Sequence, residues 1–216
     1  MSACAAPTLE PTLGPEGSDT RVGTRWQSTG APRGDDYDAR WRDLIEAGQN
    51  IHGEADLVEA LLRESGGTRV MDAGCGTGRV AIELDRRGFA ALGVDADPAM
   101  LARARAKAPE LSWVEADLAE LPGPATEFDL ILLAGNVMIY LEPGTEGRVL
   151  RGLAGRLAPG GLLVSGFSIR LDRLALQTYD RLAEQAGLRA VNRWATWDRE
   201  PFTGGDYAVS VHQRPG

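Results

Sequence analysis

The residues that could do chemistry in this sequence are concentrated in a glycine-rich turn and a carboxylate that follows it. Gly74, Gly76 and Gly78 stand at alternate positions directly after an apolar run over residues 70–73. Because glycine tolerates positive φ and carries no side chain, such a turn can bring backbone N–H groups close to a ligand. Asp95 ends the next apolar run, where a carboxylate can accept both hydroxyls of a ribose. The pattern predicts a site for a nucleoside-containing cofactor.

The spacing of the glycines distinguishes between nucleoside cofactors. In the dinucleotide fingerprint the third glycine lies five positions after the first, and here that position is Arg79. An acid, Asp72, also stands two residues before the first glycine. The spacing therefore disfavours a dinucleotide, and an NAD(P)-dependent oxidoreductase is kept as an alternative.

The elements that must position these residues follow from the alternation of strand-like and helical patterns. Strands are expected over 68–73, 89–94, 111–116, 128–134 and 162–167, and helices over 80–87, 97–107, 145–157 and up to residue 187. Two more strands, over 188–197 and 206–213, are joined by a segment too short for a crossover helix and must form an antiparallel hairpin. The pattern predicts an α/β fold, a doubly wound, mostly parallel seven-stranded sheet with helices on both faces.

The N-terminal part of the sequence has a different character. Residues 1–34 are rich in Pro, Gly, Ser and Thr, and such a composition predicts a disordered arm. The alternative is an arm that closes over the substrate, with Trp26 as its apolar anchor. From residue 35 to 216 we expect one domain, whose first helices, over about 36–64, form a lid in which Tyr37 and Trp41 recur at helical spacing.

Composition and charge restrict the class of protein. A net charge of −8 disfavours a nucleic acid partner, and two cysteines in 216 residues suggest neither a disulfide framework nor a metal cluster. No apolar run approaches the length of a membrane span or resembles a signal sequence. We expect a cytoplasmic monomer or homodimer that binds no metal.

Five ordered motifs carry a family resemblance. They are Asp72-x-Gly-x-Gly-x-Gly78, Gly93-Val-Asp-Ala-Asp-Pro-x-Met-Leu101, Glu115-Ala-Asp-Leu118, Phe128-Asp-Leu-Ile-Leu132 and Leu157-Ala-Pro-Gly-Gly161. Together they closely resemble the successive motifs of class I S-adenosylmethionine-dependent methyltransferases, over about residues 36–213. That family has a Rossmann-like sheet whose last strand is inserted antiparallel, which agrees with the expected hairpin.

The resemblance implies which residues hold S-adenosyl-L-methionine. The methionine moiety would lie against backbone at Ala73, Gly74 and Gly76, with Asp72 orienting its amino end and Ala134 and Gly135 at its edge. Asp95 would accept the ribose hydroxyls. Ala96 and Met100 would pack near the adenine, Asp117 would accept from its amine, and the Leu118 amide would donate to a ring nitrogen.

The acceptor site has fewer candidates. Methyl transfer is an in-line displacement in which the protein mainly supplies alignment, and a general base is needed only if the acceptor must lose a proton. Tyr140, just past the fourth strand, and His52, between the lid helices, are the candidates for that base. Tyr37 and Trp41 could form an aromatic lid over the sulfonium, or could pack the core, and Asn136 is placed to contact substrate.

The sequence thus favours S-adenosylmethionine-dependent methyl transfer to a small molecule. A non-catalytic S-adenosylmethionine-binding protein and a protein-methylating enzyme stay open as alternatives, because no residue pattern identifies the acceptor.

Overall fold

A seven-stranded sheet forms the middle layer of the molecule. The computed structural model describes residues 24–30, 33–122, 127–170 and 172–216. The strands are β1 (Arg69–Ala73), β2 (Ala90–Asp95), β3 (Ser112–Glu115), β4 (Phe128–Leu133), β5 (Leu157–Ser168), β6 (Arg189–Trp194) and β7 (Tyr207–Gln213), in the order β3-β2-β1-β4-β5-β7-β6. The first five are parallel, and β7 lies antiparallel between β5 and β6. The predicted fold class and the terminal hairpin are confirmed.

Helices cover both faces of the sheet. They are α1 (Arg25–Ser28), α2 (Asp35–Glu46), α3 (Gly53–Ser65), α4 (Arg79–Arg86), α5 (Pro98–Lys107), α6 (Val137–Tyr140), α7 (Glu146–Ala154) and α8 (Leu176–Gln185). Strand β4 shows why two layers are needed: Leu130 and Leu132 belong to the apolar cluster with α3 and α4, whereas Ile131 and Leu133 belong to the cluster with α7 and α8. Because successive side chains of a strand point to opposite faces, a continuous apolar run must be covered on both.

The predicted start of α5 is confirmed by its cap. The Oδ1 atom of Asp97 accepts a hydrogen bond from the backbone N of Ala99 at 2.9 Å, and Pro98 occupies the first helical position. This pairing satisfies a helix N-terminus and requires no donor from the proline. The chain therefore turns sharply from the end of β2 into α5, so that Asp95 and Asp97 stay close to the sheet edge.

Two element boundaries differ from expectation. The helix expected to run to residue 157 ends at Ala154, and β5 begins at Leu157, so that the Pro159-Gly160 pair lies within a strand. The pairing of β4 with β5 shifts register between Phe128 and Leu130, and Gly160 takes φ +80°, which accommodates the extra residues as an irregularity. The short helix α6 was not expected at all.

The prediction of a disordered arm over residues 1–34 falls mostly on residues 1–23, 31 and 32, which lie outside the described part of the chain. For residues 24–30 the prediction is wrong, because they contain α1. Thr24 and Gln27 cap that helix reciprocally, each side chain bonding the backbone N–H of the other. Among the described helices, none is long and apolar enough to cross a membrane.

Candidate cofactor and acceptor site

A cavity opens at the carboxyl ends of the central strands, where the turns after β1, β2 and β4 meet. The empty space in it is about 640 Å³, part of which is open to solvent. The lining residues come from the arm, the lid helix α2 and these turns: Thr24, Trp26, Tyr37, Gly74, Gly76, Asp95, Ala96, Met100, Asp117, Leu118, Gly135, Val137, Tyr140 and Leu141.

The glycine-rich turn after β1 forms one wall. Gly74, Gly76 and Gly78 have φ values of +83°, +56° and +81°, in the region that favours glycine. A Cβ atom on Gly74 would overlap the side chain of Val137, which itself lines the cavity. The backbone N of Gly74 donates to the carbonyl of Val94 at 2.7 Å, which fixes the turn against β2. The turn is therefore narrow, rigid and open to close approach by a ligand.

A tryptophan on the edge strand β3 packs against the same turn. The indole of Trp113, on β3, lies where a Cβ atom on Gly78 or Gly93 would be, so both positions exclude a larger side chain. Its Nε1 donates to the carbonyl of Ala108 at 2.9 Å, which fixes the orientation of the ring. The Trp113 side chain, which comes from β3, thus contacts both the turn and β2.

Asp95 connects the glycine turn to the next element. Its Oδ2 atom accepts from the backbone N of Gly76 at 2.7 Å, and its Oδ1 atom accepts from the backbone N of Asp97 at 2.8 Å. Burial raises the pKa of this carboxyl, and these backbone donors oppose the shift. Because the same carboxyl lines the cavity, it is oriented before any ligand binds.

Asp72 lies beneath the turn and does not line the cavity. Its side chain is buried, and its Oδ2 atom accepts from the backbone N of Ala81 at 3.2 Å, near the start of α4. Burial raises the pKa of Asp72 to about 7, although the positive charge of Arg79 opposes the shift. A cationic ligand group close to this carboxyl would favour its ionised form.

The structure brings together most of the residues predicted to hold the cofactor. Those that line the cavity are Gly74, Gly76, Asp95, Ala96, Met100, Asp117, Leu118 and Gly135, whereas Asp72, Ala73 and Ala134 are buried and do not line it. Asp117 also caps the short 3₁₀ turn that follows it, since its Oδ1 atom accepts from the backbone N of Ala119 at 2.8 Å.

Some of the residues predicted for the acceptor site line the cavity, and the others do not. Tyr37 and Tyr140 line the cavity, but Trp41, His52 and Asn136 do not. Asn136 connects β4 to β5: its backbone takes φ +72°, and its Oδ1 atom accepts from the backbone N of Ser168 at 2.7 Å. His52 directly precedes α3, where its backbone N donates to Asn50.

Trp41 is instead part of a charged clamp that the sequence did not reveal. The guanidinium of Arg79 lies 4.0 Å from the centroid of the Trp41 ring and pairs in a bidentate manner with Glu54, at 2.6 and 3.0 Å. The same guanidinium donates to the carbonyl of Ile51. Arg79 therefore joins α2, α3 and α4, and it holds the lid helices over the glycine turn.

A second connection holds α2 to the cofactor side. Asp38 accepts from the hydroxyl of Thr77 at 2.6 Å and pairs with Lys107 at 3.0 Å. Thr24, Val137 and Leu141 also line the cavity without having been predicted, and Trp26, the apolar anchor in the alternative reading of the arm, lines it as well. Partners this far apart in sequence leave no local pattern, so only the tertiary structure reveals them.

The charge of the cavity is negative. Two carboxyl groups, Asp95 and Asp117, line it, and no Lys, Arg or His side chain does so among the described residues. Burial raises the pKa of the Tyr37 hydroxyl, which favours its protonated form. The cavity therefore suits a ligand with hydroxyl, amine or cationic groups and an apolar or aromatic part.

Comparisons with known proteins agree with this geometry. A family model described as a methyltransferase domain matches residues 70–161. The crystal structure of a TehB-like SAM-dependent methyltransferase from Corynebacterium glutamicum is 35% identical, with a TM-score of 0.77, and the match covers 83% of this chain and 97% of that one.

Curated relatives are similar over shorter regions. A glycine/sarcosine N-methyltransferase from Parasynechococcus marenigrum is 32% identical over 69% of this chain and 52% of its own length. A demethylmenaquinone methyltransferase from Thermus thermophilus is 35% identical over 62% of this chain and 60% of its own length. The chain therefore spans about half the length of these two relatives.

Proposed function

Since this chain belongs to the family of S-adenosylmethionine-dependent methyltransferases, we propose that it transfers a methyl group from S-adenosyl-L-methionine to a small-molecule acceptor. The observation that carries the proposal is the oriented carboxyl of Asp95 beside the narrow glycine turn, in a cavity without cationic side chains among its described lining residues. A dinucleotide oxidoreductase finds no support in the comparisons.

The residues present fit the cofactor. Gly74, Gly76 and Gly135 line the cavity with backbone and no side chain, so a methionine moiety could lie directly against them. We assign the ribose hydroxyls to Asp95 and the adenine amine to Asp117, because an ionised carboxylate accepts such donors. We assign the apolar contacts with the adenine to Ala96, Met100 and the turn at Leu118. Asp72, Ala73 and Ala134 would support these residues from beneath.

The bound cofactor would supply a methyl group on a sulfonium, a sufficient electrophile in itself. This chain's contribution is to exclude water, to hold the acceptor in line and to provide no competing positive charge. Neither His nor Lys lines the described cavity, and the hydroxyls available to orient an acceptor there belong to Tyr37, Tyr140 and Thr24. We infer that the acceptor is nucleophilic as bound, as an uncharged amine nitrogen is. The similarity to a glycine/sarcosine N-methyltransferase supports a nitrogen acceptor.

Binding and turnover test this proposal separately. Calorimetry with S-adenosylhomocysteine should give a saturable heat, and NADH should give none. Labelled S-adenosylmethionine is then offered with amines, carboxylic acids and phenols, and methylated amine is the expected product. Binding of NADH alone would restore the oxidoreductase. Binding of S-adenosylhomocysteine without transfer to broad acceptor pools would favour a non-catalytic protein, and transfer only to polypeptides would favour a protein-methylating enzyme.

We also propose that residues 35–216 are one domain with α2 and α3 as its lid, acting in the cytoplasm as a monomer or homodimer without nucleic acid. The net charge of −8 supports the proposal that no nucleic acid binds.

Large apolar side chains exposed on the described surface are limited to Ile45 and Val191, which supports a small association interface or none. Size-exclusion chromatography with light scattering measures the oligomeric state directly.

A further inference from the structure

The N-terminal arm contributes directly to the wall of the cavity. Thr24 and Trp26 line it together with Asp95 and Met100, although Trp26 stands 71 residues before its hydrogen-bond partner Asp97. Helix α1 has no buried residue of its own, so packing into the core does not explain its position. Specific polar contacts explain the position of this helix.

Asp97 is the residue that holds the arm. Its Oδ2 atom accepts from Trp26 Nε1 at 3.1 Å and pairs with Arg33 Nε at 3.0 Å, while its Oδ1 atom caps α5. Only 8% of the Asp97 side chain is exposed, against 36% of the Arg33 side chain, so the accepting carboxyl is shielded from bulk water while the ion pair with Arg33 is partly open to it. Arg33 in turn donates to the backbone carbonyl of Trp26 at 2.9 Å. One oxygen of the Asp97 carboxyl group therefore caps α5, and the other binds Trp26 and Arg33 of the arm.

The Trp26 ring spans the cavity from the β2 side to the β4 side. Its centroid lies 5.4 Å from that of Tyr140, on α6, and 6.4 Å from that of Tyr37, on α2, both in edge-to-face arrangements. Its N–H meanwhile bonds to Asp97 beyond the end of β2. A ring in this place contacts whatever fills the cavity.

The arm is also connected to the carboxyl assigned to the ribose. The backbone N of Asp97 donates to Asp95 Oδ1 at 2.8 Å, so the residue that holds the arm and the residue that holds the cofactor are directly bonded. Asp95 and Trp26 both line the cavity and are joined through Asp97, so a ligand in the cavity would contact both ends of this series of bonds. Order in the arm and occupancy of the site are thereby coupled.

We propose that Trp26 is a binding residue that closes over S-adenosylmethionine, that Asp97 is its positioning residue, and that α1 must move away before S-adenosylhomocysteine leaves. This inference rests on the proposed function, because it takes the cavity to be the cofactor site. With the cofactor bound, the indole would shield the cavity from water and would offer a π face to a cationic group. Release of the product is then controlled by a segment outside the sheet.

Two substitutions isolate this role. Trp26→Leu removes the ring. In Asp97→Asn the remaining oxygen can still cap α5, while the new NH₂ group meets the Trp26 and Arg33 donors and repels the arm. Trp26→Phe keeps a ring without the N–H. Trp194→Leu is the matched control, since Trp194 is a half-buried tryptophan on β6 that does not line the cavity.

The measurements are the release rate of labelled S-adenosylhomocysteine, its affinity by calorimetry, and trypsin cleavage after Arg25 and Arg33. We expect release to be ~5–30-fold faster in Trp26→Leu and Asp97→Asn, intermediate in Trp26→Phe and unchanged in the control. The melting temperature of the ligand-free Trp26 variants should stay constant, since α1 buries no core residue. Ligand should slow cleavage in the wild type but not in Asp97→Asn.

The outcomes separate the two levels of the proposal. If S-adenosylhomocysteine binds and both variants release it at the wild-type rate, Trp26 and Asp97 have no role in retention and the inference is wrong. Equal cleavage with and without ligand in the wild type would also overturn it. If the wild type binds no S-adenosylhomocysteine at all, the proposed function fails, and this inference fails with it.

Discussion

Replacing Arg79 with alanine should lower the free energy of unfolding by about 2–4 kcal/mol. The Arg79 and Glu54 side chains are each only 13% exposed, and removing one partner of a buried pair costs about 3–5 kcal/mol, because the other charge is left unpaired. The residual exposure reduces that cost, and the lost contact with the Trp41 ring at 4.0 Å adds ~1 kcal/mol. The loss should appear first as opening of α2 and α3 from α4.

Urea unfolding of a double-mutant cycle measures this effect. The single variants Arg79→Ala and Glu54→Ala and their combination should show a coupling energy of at least ~1 kcal/mol, because each single change leaves a charge without its partner. Arg86→Ala is the control on the same helix, since its side chain is 75% exposed beside Glu83, and we expect less than about 0.5 kcal/mol there. A cost for Arg79→Ala as small as for Arg86→Ala, with no coupling, would refute the clamp.

Three further changes test the site. Asp95→Ala should weaken S-adenosylhomocysteine binding by about 1–3 kcal/mol in calorimetry, through loss of a charge-assisted acceptor, and an unchanged affinity would remove the ribose role. Gly93→Ala places a Cβ atom inside the Trp113 ring and should cost about 1–3 kcal/mol by thermal unfolding, so a neutral result would mean that the indole moves freely. Because burial raises the pKa of Asp72 to about 7, the native state keeps a proton that the unfolded chain has lost above pH ~4. Between these values the stability of the wild type relative to Asp72→Asn should therefore fall by up to about 1.4 kcal/mol per pH unit, and parallel pH profiles of urea unfolding would contradict the shift.

Local patterns sufficed for much of the fold. The Asp97-Pro98 cap, the apolar run of β4 and the short link between the last two strands each have a physical reason within a few residues, and the helix, strand and hairpin expected there are confirmed. The start of β5 could not be predicted, because Pro159 and Gly160 usually end an element and only the register shift against β4 makes them part of a strand.

The site was predictable to the extent that its residues lie in the turns directly after strands. Gly74, Asp95 and Asp117 belong to that group. Trp26 was given only as the anchor in the alternative of a closing arm, because the composition of its surroundings indicates disorder and its hydrogen-bond partner lies 71 residues away. From the sequence, Arg79 was interpreted only as the residue that stands in place of the third glycine of the dinucleotide fingerprint. Its partners on α2 and α3 are distant in sequence and leave no local pattern.

The seating of Trp113 against Gly78 and Gly93 has a spectroscopic consequence. Indole fluorescence depends on the polarity and rigidity around the ring, and this ring rests on the turn that forms a wall of the cavity. Trp26 faces the same cavity from the arm, so two of the five tryptophans would report on it from opposite sides. In variants that keep only one of these two indoles, emission from Trp113 would follow the glycine turn and emission from Trp26 the arm, so that one reports filling of the site and the other its closure.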